Sequence, residues 1–482
     1  MTGWEAVIGI ETHVELQTRS KMFCGCRVDV GDEPNTAVCP VCLGLPGALP
    51  VPNRAAIEGI VKIATALGCV VNERSLFYRK NYFYPDLPKN YQISQYTYPV
   101  GEHGRLVLHV DGEELAVGIT RVHMEEDTGK SLHVGSGGRI QEAEHTLLDF
   151  NRSGVPLVEI VTEPDLRTPE QARAYGAELQ RIVRTLGVSD ARLEEGSMRF
   201  DANVSVRRSG TSELGVRTEI KNMNSLRSLQ RAIAFEIGRQ VEVLEAGGSV
   251  VQETRHWNEA EGRTVAMRSK EESEDYRYFQ EPDLLPLEID EAWRQRIAAS
   301  LPRLPAARRA ELVALGADDR TATLLVDTPV LADRFEAAVS RGAPARTVGS
   351  WLTGEIVAYA RSVGADVEEV VPAVEDLVEL AGMVEAAELS ATAAKQVLAG
   401  VLAGEGTPRG VAEARDLLQI SDEGALEEAV AAVLADHPDV VEQIRAGETK
   451  PIGFLVGRVM RATGGKADPR KVQEIIRREA GA

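Results

Sequence analysis

Two small sets of residues carry chemical possibilities by type and spacing alone. Four of the five cysteines, Cys24, Cys26, Cys39 and Cys42, form a C-x-C and a C-x-x-C pair. That spacing suits the tetrahedral four-thiolate preference of zinc, and Gly25, Pro40 and Gly44 supply the tight turns such a loop needs. The plainer alternative is a set of thiols tucked under a loop. Cys69 ends a helix-like run and is expected to be a small buried hydrophobe. The second set lies in Val7–Leu16. Read with a period of two, Ile8, Ile10, Thr12, Val14 and Leu16 take one face, and Gly9, Glu11, His13 and Glu15 the other. A Glu and a His two apart on an open strand face are expected to converge for metal ligation or proton transfer, against the ordinary alternative of a solvated face.

The pattern recurs. In Ile119–Glu125 one face carries Arg121, His123 and Glu125; in Leu157–Thr162, Glu159 interrupts an apolar run. In Met198–Arg207 the polar face holds Arg199, Asp201, Asn203, Ser205 and Arg207, and in Val216–Lys221 it holds Arg217, Glu219 and Lys221. Asn and Asp are poor strand formers, so their recurrence on one face points to a sheet whose open side is a site. The elements that must position these groups are therefore strands of a largely antiparallel sheet with one face packed and one used. Between them, Tyr78–Gln92 is aromatic, basic and punctuated by proline, with neither helical nor strand period. It reads as a loop in which Lys80 and Lys89 neutralise phosphate and aromatics such as Tyr82 stack on a base, or else as a surface loop with packed tyrosines. Tyr276–Asp283 is a second loop of this kind, and Thr254–Asp275 reads as hairpin-like.

Helices are expected from Asn53, as cap, to Leu67, and from Asn224 or Ser225 to Gly247. Beyond Asp290 alanine and leucine dominate and strands vanish. Short helices are expected at about Ala306–Leu315, Ala322–Val326, Leu331–Val339 and Ala345–Val363. Ala403–Pro408 reads as a linker to a last helical unit, where Arg461, Lys466, Arg470, Lys471, Arg477 and Arg478 make a locally basic tail or simply a solvated helix face. The predicted class is α+β: a mixed, largely antiparallel domain over 1–290 with the cysteine loop at 24–42, an all-α domain over 291–405, and a helical tail over 406–482.

Length and composition set limits. A chain of 482 residues with 43% hydrophobic and 27% charged residues is globular, with room for about three domains. No apolar run reaches the ~20 residues of a membrane span, and nothing resembles a secretion or transit signal, so a cytoplasmic location is expected. With 54 basic against 74 acidic residues the net charge is −20, so nucleic-acid contact needs a local basic patch. Gly129-Lys130-Ser131 ends like a phosphate-binding loop, but Met124 stands where that motif needs glycine. Neither a dinucleotide fingerprint nor G-x-S-x-G is present. Nucleotide binding, if any, uses another device.

The segments VIGIETHVELQT, SKMFCGC, RKNYFYPDLPKNYQISQY, ITRVHMEEDTGK, DFNRSGVPLVEIVTEPD, EEGSMRFDANVSV, EIKNMNSLRSLQRA, DYRYFQEPDL and KPIGFLVGRVM resemble the GatB subunit of bacterial aspartyl/glutamyl-tRNA amidotransferases, almost end to end. The resemblance implies a mixed cradle domain, a helical domain and a helical tail that helps hold tRNA. It implies a ligase of protein biosynthesis that turns Glu-tRNA(Gln) into Gln-tRNA(Gln), or Asp-tRNA(Asn) into Asn-tRNA(Asn). In that scheme GatB activates the carboxylate with ATP and Mg²⁺. Ammonia arrives from the glutaminase subunit GatA, and the small subunit GatC completes a heterotrimer. Glu11, His13 and Glu125 look like the family's metal positions, with His13 binding directly, through water, or orienting a phosphate. Glu159, Asp201 and Asn203 are further candidates for the ATP or substrate site, as are Tyr82 and Gln92. Lys80, Arg121, Lys221 and Lys89 are expected anion clamps. The cysteine group, present in some members, implies a structural Zn²⁺. The competing reading is a zinc-stabilised tRNA-binding scaffold without chemistry of its own.

Overall fold

The computed structural model describes the chain apart from residues 1–2, 29–30, 32, 111, 136–142, 268–275, 420–422, 447, 449 and 482. The end of the expected Thr254–Asp275 hairpin thus lies outside the described residues. The chain divides into two units, Met1–Pro305 and Ala306–Ala482.

The first unit holds β1 (Trp4–Glu15), β2 (Val70–Val71), β3 (Arg74–Ser75), β4 (Tyr78–Asn81), β5 (Tyr91–Ser94), β6 (Gly101–Val110), β7 (Glu113–Glu126), β8 (Lys130–Gly135), β9 (Ala143–Asp149) and β10 (Pro156–Thr162). It continues with β11 (Met198–Arg208), β12 (Thr218–Met223), β13 (Thr254–Asn258), β14 (Arg263–Ala266), β15 (Phe279–Gln280) and β16 (Leu287–Glu288), and its helices are α1 (Arg54–Ala66), α2 (Pro169–Thr185), α3 (Leu226–Glu245) and α4 (Glu291–Ala299). Nine strands form one sheet in the order β14-β13-β12-β11-β1-β10-β7-β6-β2. Among the described residues every pairing in it is antiparallel except β12 with β13. The class is α+β, as expected.

β1 sits in the middle, between β10 and β11, and its period-two pattern decides what it buries. Ile8, Ile10, Thr12 and Val14 are buried, and the Thr12 hydroxyl meets Tyr175 Oη of α2 at 3.5 Å. α2 opens with a capping box: Thr168 accepts from the Gln171 N–H while Gln171 reaches back, and Pro169 occupies the first turn. α3 starts at Ser225, which accepts from the Ser228 N–H. The two helices approach closely because Gly176 has no side chain; a Cβ there would stand 2.8 Å from Leu226 Cδ2 and 3.0 Å from Phe200 Cζ. α1 is capped by Asn53, as expected.

The other face of the sheet is covered along β7. A small sheet, β15-β4-β5, lies over β7, an inner strand of the nine. Gln95 Oε1 accepts from the Met124 N–H at 3.1 Å, Glu126 Oε1 accepts from the Ile93 N–H at 2.9 Å, and Gln92 Nε2 donates to Glu126 O at 2.7 Å. The two stretches expected to be loops, Tyr78–Gln92 and Tyr276–Asp283, thus contribute strands to a roof, pinned by Arg79. Its guanidinium donates to Glu281 at 2.7 and 2.9 Å and to Asp283 at 3.0 Å, and lies 4.1 Å from the Tyr91 ring centroid.

The second unit contains α5 (Pro305–Ala314), α6 (Asp319–Asp327), α7 (Pro329–Ser340), α8 (Ala345–Ser350), a π-helical stretch (Trp351–Ile356), α9 (Val357–Val363), α10 (Val367–Val370), α11 (Val374–Glu385), α12 (Ala391–Leu402) and α13 (Pro408–Ala414). α14 (Glu423–Asp436), α15 (Pro438–Arg445), α16 (Lys450–Ala462) and α17 (Pro469–Ala480) follow. Two separate cores result, one from Leu312 to Ala412 with Leu417 and Leu418 packed on it, the other from Leu426 to Ala480. The expected break between residues 405 and 406 therefore falls inside the first core. Polar, Gly-rich Ala403–Pro408 is a turn between α12 and α13, and α13 buries Val411 and Ala412 against the helices before it.

Candidate active site

The polar face of the sheet is organised in rows across strands. Same-face neighbours along one strand are about 6.6 Å apart, whereas directly opposed residues on adjacent strands are about 4.5–5.5 Å apart. Convergence is therefore cross-strand. His13 stands opposite Glu159 on β10, which stands opposite His123 on β7. One row along, Glu11 stands opposite Asp201 on β11. The expected trio Glu11, His13 and Glu125 is thus divided between two groups, one of His13, Glu125 and Glu159 and one of Glu11, Asp201 and Glu219, each with ligand atoms within 4.8 Å of one another.

In the first group, Glu159 Oε2 lies 3.2 Å from His123 Nε2 and 3.7 Å from His13 Nε2. Glu125 lies 3.6 Å from His123 Nε2, 4.0 Å from His13 Nε2 and 3.7 Å from Lys80 Nζ. It is only 2% exposed, and the roof supplies Ser94 Oγ at 3.0 Å and Gln92 Nε2 at 3.3 Å. Burial works to protonate Glu125, but Lys80 and His123 prevail and hold it down to about 2. Glu159 is likewise held well below the usual carboxylate range: burial opposes this and His123 outweighs it. His123 is raised, burial notwithstanding, by Glu159 and Glu125. Two ionised carboxylates supply the oxygen donors that a hard divalent cation takes, with His13 Nε2 beside them. His123 Nδ1 is buried without a hydrogen-bond partner, leaving the ring's orientation to these carboxylates.

The second group has the opposite balance. Glu11 is raised by burial first, then by the charges of Glu159, Glu219 and Asp201, with Lys221 acting against them. Lys221 Nζ donates to Asp201 Oδ2 at 2.6 Å and lies 3.4 Å from Glu219, and Asn203 Nδ2 donates to Glu11 Oε1 at 3.0 Å. Asn203 Oδ1 is left without a partner. Crowded carboxylates with a spare amide oxygen also fit an oxygen-seeking cation. A cavity of about 410 Å³ opens beside this group, walled by Val7, Ile10, Val161, Leu214 and Val216, with Asn203 and Arg217 among its polar lining.

Other expected residues are placed differently. Lys89 is no free anion clamp: its ammonium pairs with Glu126 and sits 5.5 Å from the Tyr91 ring centroid. Arg121 shares the face of His123 but stands opposite Val161, a row away from the first group. Tyr82 packs edge-on against Tyr276, whose ring centroid is 5.3 Å from Lys80 Nζ. His123 and Glu219 join the site although the sequence reading does not select them; strand parity, which puts both on the marked faces, is the signal for them. Glu15 and Asp127 form a separate acidic pair, in which burial and a hydrogen bond to Asp127 push Glu15 up to about 8. Burial opposes the ionisation of Asp127, but Arg199 at 2.8 Å and Arg152 at 3.9 Å hold it down to about 2.

The cysteines meet as expected. The sulfurs of Cys24, Cys26, Cys39 and Cys42 lie within 4.8 Å of one another, a spacing that fits one soft tetrahedral ion. Cys42 Sγ accepts from the Cys39 N–H at 3.1 Å; hydrogen bonding with Cys24 above all lowers its thiol to about 4. Cys69 is half-buried against Gly104, with burial pushing its thiol up to about 12.

Residues 6–295 match the family model described as the GatB/GatE catalytic domain, and residues 333–479 match the GatB domain. The chain belongs to the GatB family. It is 50% identical to the aspartyl/glutamyl-tRNA(Asn/Gln) amidotransferase B subunit of Frankia casuarinae, over 99% of this chain and 96% of that protein. It is also 50% identical to the protein of the same name from Moorella thermoacetica, over 98% of this chain and 99% of that one. With the relative from Synechococcus elongatus the identity is 48%, over 98% of this chain and 97% of that protein. The two site groups and the cysteine loop all fall within the span matched by the first family model.

Proposed function

We propose that this chain is the subunit of a tRNA-dependent amidotransferase that activates the side-chain carboxylate of Glu-tRNA(Gln), Asp-tRNA(Asn) or both with ATP, and then passes it to ammonia. The observation that carries this is the pair of carboxylate groups on adjacent rows of one sheet face. Joining a carboxylate to ATP brings anions together, and a site for it needs cations and ordered donors more than a nucleophile. His13, Glu125 and Glu159, and Glu11, Asp201 and Glu219, would hold Mg²⁺, which would neutralise the phosphate charge. Lys80 and Lys221 add fixed positive charge beside each group. The cavity next to Glu11 takes the nucleoside, with its apolar wall against the base. The substrate carboxylate attacks the γ-phosphorus and ADP leaves; ammonia then attacks the acyl carbon and phosphate leaves. A scaffold without chemistry has no use for buried, convergent Glu and His.

The relatives are named as one subunit of an amidotransferase, which supports a multi-subunit assembly. The glutaminase subunit GatA and the small subunit GatC are its proposed partners, with GatA the source of ammonia. The four-cysteine loop holds a structural zinc. Arg470, Lys471 and Arg477, exposed on α17, are proposed to contact the phosphates of the tRNA. No helix of the described residues is long and apolar enough to cross a membrane.

The test uses the reconstituted complex carrying Glu159→Gln or Asp201→Asn. Each is expected to lower tRNA-dependent ATP hydrolysis and amide formation by about 100-fold, the scale of removing one electrostatic partner from a transition state, with glutamine hydrolysis kept. Undiminished carboxylate activation in both variants would remove the reading.

A further inference from the structure

Lys21 is fully buried, with 0% exposure. Its ammonium donates to Phe150 O at 3.1 Å and to Cys42 Sγ at 3.7 Å, and among the described residues no carboxylate pairs with it. A buried cation facing only a carbonyl and a single sulfur, with no carboxylate beside it, would be costly. Four thiolates around a divalent ion, in contrast, carry two surplus negative charges, and a buried centre of that kind needs a positive neighbour. Each feature accounts for the other.

We infer that Lys21 is the counter-charge of the metal-bound four-thiolate centre, and that through it the centre positions the turn hydrogen-bonded to the chain at the acidic end of β7. This rests on the zinc reading given above. Lys21 touches the buried sulfur of the four, that of Cys42. The turn it holds by Phe150 O is tied to the cysteine loop by the Met22 N–H donating to Gly154 O at 2.7 Å and by Ser153 Oγ, 3.5 Å from Cys42 O. The same turn is tied to β7, since the Gly154 N–H donates to Asp127 O at 2.9 Å and the Asp127 N–H to Val155 O at 2.8 Å. Gly154, at φ +87°, marks the crossing point: a Cβ there would lie 3.5 Å from Lys21 Cδ, 3.7 Å from Cys42 Cβ and 3.7 Å from Glu126 Oε2. Lys21 thus stands between the thiolates and the strand that carries Glu125.

The experiment compares the full-length wild-type chain with Lys21→Met, Lys21→Gln and Lys21→Arg, each in zinc-loaded and chelator-stripped form. Zinc affinity is read by competition with a chromophoric chelator, cobalt(II) spectra report the thiolate geometry, and amide exchange is followed at Asp127 and Gly154. Lys21→Met and Lys21→Gln are expected to weaken zinc binding by about 10- to 100-fold, the usual scale for residues behind a ligand, and Lys21→Arg by less. Stripped Lys21→Met is expected to melt no lower than stripped wild type, because a buried charge without a carboxylate partner has gone. Stripping zinc from the wild type should speed exchange at Asp127 and Gly154. Zinc affinity within threefold of wild type in both neutral variants would overturn the counter-charge role, as would equal loss of melting temperature in loaded and stripped forms. Unchanged exchange on stripping would overturn the link to β7. A wild-type chain that binds no zinc would instead overturn the zinc reading on which the inference stands.

Discussion

His123 Nε2 and Glu159 Oε2 lie 3.2 Å apart across the β7–β10 pair, and Glu159 faces His13 on its other side. One carboxylate is thereby shared by two imidazoles on the strands flanking it. Glu125, two residues along β7 from His123, completes the group beneath the roof strands, and this changes what its removal should do.

Glu125→Gln is expected to destabilise the metal-free chain by about 3 kcal/mol at pH 7, because Lys80 and His123 lose their buried partner. An exposed strand residue would cost about 0.5 kcal/mol or less. Glu125 is held down to about 2, so its charge contributes stability above the ordinary value of 4.5 that fades as pH falls toward 2. Urea unfolding at pH 7 and pH 3 should show the variant's deficit shrinking in acid. Equal stability at pH 7 would contradict the buried pair.

Magnesium should stabilise the chain more at high pH. Glu11 has its proton affinity raised by burial and by neighbouring carboxylates, so its ionised form weakens the fold as pH rises above the unfolded value. A bound cation offsets that charge and also competes with the raised proton on His123. The rise in melting temperature on adding Mg²⁺ should be larger at pH 8 than at pH 5.5. A rise independent of pH would argue against cation binding at these groups.

Arg79→Ala is expected to loosen the roof. Glu281 is 1% exposed and would be left as a buried unpaired carboxylate, at a cost of about 3–5 kcal/mol. Arg79→Lys should recover little, since an ammonium cannot reproduce two parallel bonds to Glu281 while reaching Asp283. Limited proteolysis and thermal melts would check both; wild-type melting of Arg79→Ala would sink the clamp.

Two truncations separate the helical cores. Ending the chain after Gln419 should leave the core around Leu312–Ala412 intact, lowering tRNA affinity and flattening its salt dependence. Ending it at Thr407 also removes Val411, Ala412, Leu417 and Leu418, and should cost on the order of 3–5 kcal/mol. Calorimetry on the two chains would reveal the difference; identical melting of both would place the domain break back at the α12–α13 turn.

Much of this molecule was legible in its sequence because side-chain alternation is a local property. A period of two put Ile8, Ile10, Thr12 and Val14 on one face of β1 and Glu11, His13 and Glu15 on the other, whatever the strand paired with. Asn53 and Ser225 cap their helices through bonds to residues two or three positions away. The four cysteines lie within one short loop, so spacing sufficed. Which carboxylates share an ion was not local. Glu11 meets Asp201 and Glu219, and His13 meets Glu159, because the register of strands far apart in sequence brings them opposite. Burial of Glu125 required β5 to fold over β7, and the loss of Lys89 as an anion clamp required Glu126 to face it. Strand parity selects a face; only the pairing of distant strands, and what packs above them, selects neighbours and exposure on that face.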